Sequence, residues 1–195
     1  MTIPLLARVI RPHELPKAPW TNGAGYTREI SRGSLNAPGP RNRWRLSLAD
    51  LTGTAVFSVL PGIDRVFTLA SAGPLSMTVN GKERTLRLGQ KAAFDGEAAV
   101  ATVLTTPEGQ LGLNLMTHRG ACRGSMSILQ RDGKVALDPG IGVVAATILA
   151  GTAELPDGQQ LADLATVALG AETVELEAKS CLIAIATVRK VLCDL

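Results

Sequence analysis

Apolar residues recur at every second position in short runs, and glycine or proline punctuates the gaps between them. A period of two specifies half-buried β-strands and excludes a helical bundle, whose apolar stripe would repeat every 3.6 residues. Trp44-Arg45-Leu46-Ser47-Leu48-Ala49 shows the pattern most clearly, and short segments at Val66–Ala70, Leu75–Val79 and Lys82–Leu88 continue it. Between the last two lies Asn80-Gly81, a pair suited to a type I′ hairpin turn because both central positions need positive φ. Further strands are predicted at Ala98–Thr105, Leu111–Thr117, Ser125–Gln130, Val143–Leu149, Thr173–Glu177 and Cys181–Val188. Gln159–Leu169 is compatible with helix or strand, and Asn36–Arg43, with Pro38-Gly39-Pro40, reads as a loop.

The chain also repeats itself. At an offset of 78 residues, Pro61-Gly62-Ile63 through Gly73 matches Pro139-Gly140-Ile141 through Gly151 at six of 13 positions. Each copy runs on into a hairpin-type turn, Asn80-Gly81 and then Asp157-Gly158. A strand–turn–strand unit recurring once in an all-β chain predicts two stacked sandwich or barrel halves. At 195 residues the length suits two small fused units, and 46% hydrophobic residues are enough for a core in each. The expected division is residues 1–120 and 121–195.

The halves differ. All six aromatics (Trp20, Tyr26, Trp44, Phe57, Phe67, Phe94) lie between residues 20 and 94. Residues 1–50 carry eight Lys/Arg against three Asp/Glu, whereas residues 151–195 carry three against seven. A pocket is therefore expected in the first half, and packing or a homodimer interface in the Ala-, Val- and Leu-rich second half. The basic residues are dispersed, with neither a recognition helix nor an RNP-type motif. An anionic small molecule is a better partner than nucleic acid.

Several chemistries lack their residues. His13 and His118 are 105 positions apart, so no metal-ligand spacing exists. Neither a Gly-x-Ser-x-Gly elbow nor a third glycine at the Rossmann spacing after Gly23-Ala24-Gly25 is present. Cys122, Cys181 and Cys193 are odd in number, lack CxxC spacing and read as buried thiols. No cofactor is expected. The N-terminal stretch MTIPLLARVI is short, lacks a basic leader and has an early Pro4, and no apolar run approaches the ~18 residues of a membrane helix. The cytoplasm is expected.

What remains is a polar set within apolar strands. Alternation after Gly25 places Tyr26, Arg28 and Ile30 on one face and Thr27 and Glu29 on the other, while Arg45 and Ser47 share a face. Guanidinium groups can hold a ligand carboxylate through paired hydrogen bonds, Asn22 offers donor and acceptor, and tryptophans supply flat walls. Equally, Arg45 with Glu29 or Arg65 with Asp64 could form salt bridges that merely brace the barrel. Both readings stand at this level.

These residues resemble the HutD/Ves family, associated with histidine utilisation. The resemblance rests on Trp20-x-Asn22-Gly23-x-Gly25-x-Thr27-x-Glu29-Ile30, Trp44-Arg45-x-Ser47, Phe57-Ser58, Pro61-Gly62-x-Asp64-Arg65, Phe94-x-Gly96 and Asn114-x-Met116, roughly residues 8–120. It departs at Gly112-Leu113, where the family has Asp-Phe, so one acidic group expected near the pocket is missing. The resemblance implies a bicupin (two fused, jelly-roll-like cupin barrels) with a metal-free pocket in the first. The implied ligand is a small carboxylate or formyl compound such as urocanate or formylglutamate, and the implied role accessory or regulatory. The pocket residues it implies are Trp20, Asn22, Thr27, Glu29, Trp44, Arg45, Ser47, Asp64, Arg65, Asn114 and Met116. An alternative is a metal-free isomerase or epimerase of a small acid, with Glu29 as general base.

Overall fold

The computed structural model describes residues 7–35, 43–105 and 107–191. Most of the predicted Asn36–Arg43 loop, with Arg41, and also Cys193 lie outside these residues. The architecture is all-β: among the described residues every element is a strand apart from two short 3-10 turns. Among the described residues no helix is long and apolar enough to cross a membrane.

The chain divides into two units, one built from residues 15–124 and 189–195, the other from residues 1–14 and 125–188. The sequence boundary at 120 falls in the turn just before this division, while the opening segment, with β1 (Arg8–Ile10), joins the later strands.

The larger unit contains two antiparallel sheets. Strands β2 (Ala18–Pro19), β3 (Gly25–Ser34), β4 (Arg43–Leu51), β6 (Ile63–Leu69), β9 (Lys91–Asp95) and β11 (Gln110–His118) form a six-stranded sheet in the order β2-β3-β4-β11-β6-β9. Strands β5 (Ala55–Val56), β7 (Leu75–Val79), β8 (Lys82–Leu86) and β10 (Val100–Leu104) form a four-stranded sheet in the order β5-β10-β7-β8. The inner faces meet in one core that includes Leu51, Phe57, Phe67, Leu69, Leu75, Met77, Leu86 and Val100. Asn80 and Gly81 have φ of 48° and 78°, the two positive values that the I′ turn between β7 and β8 requires.

Register fixes which side chains share this interior. Across β4, β11 and β6, Arg45 pairs with Met116 and Met116 with Arg65; one step along, Ser47 pairs with Asn114 and Asn114 with Phe67. Directly opposed residues point to one face of a sheet. One step further Gly112 lies between Ala49 and Leu69, and a Cβ built there would stand 2.1 Å from Phe67 Cζ. The Phe67 ring thus occupies the space above Gly112.

In the smaller unit, β12 (Cys122–Leu137, beginning at the division), β13 (Val143–Glu154), β14 (Gln160–Leu161), β15 (Thr166–Ala168) and β16 (Val174–Lys190) join β1 in one sheet of order β1-β15-β13-β16-β12, with β14 paired to β13. Gln159–Leu169 resolves as two short strands and a turn, not a helix. The segments expected at Thr173–Glu177 and Cys181–Val188 are one strand, interrupted only by Ser180 at φ 45°. Three register shifts between β13 and β16 bend the sheet around Leu137, Ile148, Leu161, Leu176 and Ile183. Cys122 and Cys181 are free and buried, which raises both thiol pKa values.

Candidate functional site

Between the tight turn after β2 and the inner face of the six-stranded sheet lies a chamber of about 260 Å³. Seven residues singled out in the sequence line it: Trp20, Thr27, Arg45, Ser47, Arg65, Asn114 and Met116. The β4, β11 and β6 register delivers five of them. Trp20 is oriented from β3, because its Nε1 donates to Thr27 Oγ1 at 2.7 Å.

Arg65 is the centre of the arrangement. It is buried, yet the ion pairs among the described residues give it no carboxylate partner. Its guanidinium lies 4.8 Å from the Phe57 ring centroid and 5.3 Å from that of Phe94. Phe57 in turn meets Trp20, Phe67 and Phe94 edge to face. Aromatic faces attract a cation but do not neutralise it. Arg65 Nη1 donates to the Ser58 main-chain oxygen at 3.4 Å, and its buried Nε has no acceptor. Burial, with a smaller contribution from the Arg45 charge, pushes its pKa down to about 10, so it remains a cation at neutral pH.

Arg45 is similar. Its Nη2 donates to Met116 Sδ at 3.1 Å, a weak acceptor. Ser47 Oγ donates to the Asn114 main-chain oxygen at 3.5 Å, leaving the buried Asn114 Oδ1 with no donor. The two bracing salt bridges considered from sequence do not form. Glu29 pairs with Arg32 at 3.2 Å, and Asp64 with Arg119 at 2.6 Å. Arg28 and Lys17 approach Asp50, on the opposite face of β4. Glu29, Asp50, Asp64, Asp95 and Glu97 are matched elsewhere, and among the described residues neither Arg45 nor Arg65 has a carboxylate partner.

The other four sequence candidates lie apart from the chamber. Asn22 braces the turn, with Nδ2 donating to Val56 O at 2.9 Å and Oδ1 accepting from Ala24 N at 3.1 Å. Glu29 and Trp44 line an adjoining open groove of about 680 Å³, together with Arg32, Arg43, Ile63 and His118. Arg45, Leu60 and Met116 border both spaces, so the two adjoin. Asp64 belongs to an exposed clasp in which Arg119 also holds Glu97 at 2.8 Å and the Ile63 carbonyl at 3.1 Å. Glu97 accepts from Gly62 N at 2.7 Å, and its pKa falls to about 2, chiefly through Arg119. Gly96 completes the clasp, since a Cβ there would stand 2.1 Å from the Leu60 carbonyl oxygen.

Sequence reasoning did not place Phe57, Ser58, Leu60 or Arg119 at the site. Residues 57–60 are irregular, so no periodicity marks their direction, although Phe57-Ser58 is part of the resemblance. Arg119 carries no local signal. Among the described residues no three His, Cys, Asp or Glu side chains converge as a metal set would.

A family model described as HutD matches residues 12–188. Protein Ves of Citrobacter koseri is 35% identical over 120 residues, 60% of this chain and 61% of that protein. The chain thus matches about three fifths of the length of its curated relatives. Among solved structures, HutD from Pseudomonas fluorescens SBW25 (formate condition) superposes with a TM-score of 0.76 at 24% identity, covering 95% of this chain and 99% of that one. A cupin 2 conserved barrel domain protein from Leptotrichia buccalis gives 0.59 at 13% identity, covering 94% and 97%. These likenesses show a cupin-type fold.

Proposed function

Since the chain belongs to the HutD family, we propose that it is a binding protein for a small carboxylate, acting in an accessory or regulatory role in histidine utilisation. The ligand class is an acid of the size of urocanate or formylglutamate, its carboxylate held by Arg45 and Arg65 within the aromatic walls.

One observation carries this reading: a buried guanidinium with no acidic partner, beside a second one, both lining a cavity. A buried charge left unpaired is costly, and a site retained in that state gains most when an external anion arrives. Chamber volume supports a compact head group, and the adjoining groove past Arg45, Leu60 and Met116 accommodates the remainder of a longer molecule. No observation favours the isomerase alternative, because Glu29 lines the groove in an ion pair with Arg32.

Titration calorimetry with urocanate, N-formylglutamate, glutamate and formate tests the proposal. Saturable binding of at least one acid, lost in Arg45→Ala with the fold intact by circular dichroism, is the expected result. Absence of heat with all four removes this ligand class.

A further inference from the structure

The cationic pair accounts for a carboxylate, but it does not exhaust the donors of the chamber. Asn114 is buried, its Oδ1 has no accessible surface, and the amide atom left to meet the cavity is Nδ2. No acceptor among the described residues takes a hydrogen bond from that nitrogen. Arg65 repeats the arrangement: Nη1 is given to the Ser58 main-chain oxygen, Nε is enclosed, and Nη2 is the atom left to the cavity. Arg45 adds further N–H groups beyond the contact of its Nη2 with Met116 Sδ.

Acceptors are scarce on the same wall. Among the described residues four hydroxyls line the chamber, those of Thr21, Thr27, Ser47 and Ser58. Ser47 Oγ is buried and donates to the Asn114 main-chain oxygen, and Thr27 Oγ1 already accepts from Trp20 Nε1. Thr21 and Ser58 are exposed, so solvent can serve their hydroxyls and they demand nothing of a ligand. The inner wall is therefore a surface of N–H donors, and a molecule seated there meets it best with acceptors alone.

Register places the third donor. Met116 lies between Arg45 and Arg65 in one cross-strand row, and Asn114 is two residues along β11 on the same face. Such rows repeat about every 7 Å along a strand, so the amide stands beside the guanidinium pair and not within it. A carboxylate held by the pair can place an oxygen carried on its neighbouring carbon at Asn114.

We propose that the chamber selects 2-oxo acids, whose carboxylate meets Arg45 and Arg65 and whose ketone oxygen accepts from Asn114 Nδ2. This deepens the carboxylate-binding reading and rests on it. A 2-oxo acid head group is flat and carries three acceptors and no donor, and the rings of Trp20 and Phe57 border the space it enters. A 2-hydroxy acid also reaches Nδ2 through its oxygen, but it brings an O–H for which the inner wall holds no free acceptor. A 2-amino acid brings an ammonium group into a space that holds two guanidinium charges and is lined by no carboxylate. No lysine is among the lining residues, so the ketone meets no amine with which to condense.

Four acids of one carbon skeleton test the inference on the full chain by titration calorimetry: pyruvate, lactate, alanine and propionate. Pyruvate is expected to bind about tenfold more tightly than propionate and at least about threefold more tightly than lactate, with alanine weakest. In Asn114→Leu the ratio of pyruvate to propionate affinity falls to within about threefold. Equal affinities for pyruvate and propionate in the wild type overturn the third donor and leave the carboxylate site standing. Lactate or alanine binding as tightly as pyruvate overturns the preference for acceptors. A ratio that survives in Asn114→Leu overturns the role of Asn114. Failure of all four acids to bind overturns the carboxylate reading itself. The wild-type series decides the 2-oxo preference even if the variant does not fold.

Discussion

Replacing Arg65 by methionine separates a binding arginine from a structural one, because the two roles predict opposite changes in stability. The Arg65 guanidinium is buried beside Arg45 with no carboxylate among the described residues, and its pKa falls from the ordinary arginine range to about 10. A depression of that size corresponds to a penalty of about 3 kcal/mol on the charged form. Against it stand the contacts with Phe57 and Phe94, together worth about 1–2 kcal/mol, and one long hydrogen bond to Ser58 O. Methionine is unbranched and similar in reach, and fills the same slot without a charge. Arg65→Met is therefore expected to stabilise the ligand-free protein by about 1 kcal/mol in urea unfolding, while abolishing carboxylate binding. A ligand at a hundred times its Kd should stabilise the wild type by about 2.7 kcal/mol and the variant by nothing. Loss of about 3 kcal/mol or more in Arg65→Met would show that the guanidinium braces the core, and would refute the reasoning.

Other consequences are equally direct. Gly112→Asp forces the Phe67 ring from its position and places an acid on the cationic face. We expect a loss of about 1–3 kcal/mol in urea unfolding and weaker anion binding; unchanged unfolding would contradict the packing described. The Glu97 carboxylate, held at about 2, is more acidic in the folded protein than in the unfolded chain. Its contribution is therefore complete above the ordinary pKa near 4.5 and lost as pH falls towards 2. Glu97→Gln should flatten the acid limb of a stability–pH curve, and an identical limb in both proteins would sink the assignment.

The sequence made the β class and much of the strand pattern readable because alternation is a local property. Leu75–Val79 coincides with β7, and Asn80-Gly81 forms the turn its chemistry demands. Faces were readable for the same reason, as Arg45 with Ser47 and Thr27 with Glu29 illustrate. Site membership was less so, because it depends on partners distant in sequence. Glu29 is claimed by Arg32 three residues away, and Asp64 by Arg119 at a separation of 55. Trp44 and Glu29 turn out to border the groove and not the chamber. Ser58 and Leu60 enter through an irregular segment whose course is set by the Arg119 clasp and the close approach of Gly96, neither of which has a periodic signature.

That irregular segment is tethered from two sides. From within, Arg65 Nη1 holds the Ser58 carbonyl; from without, Glu97 holds the Gly62 amide. The inner tether is donated by the same guanidinium proposed to hold an anion, so one side chain would serve both the strap and the ligand. On the proposed reading, the free energy of local opening around Val59, 62% exposed on that strap, would depend on what the cavity contains.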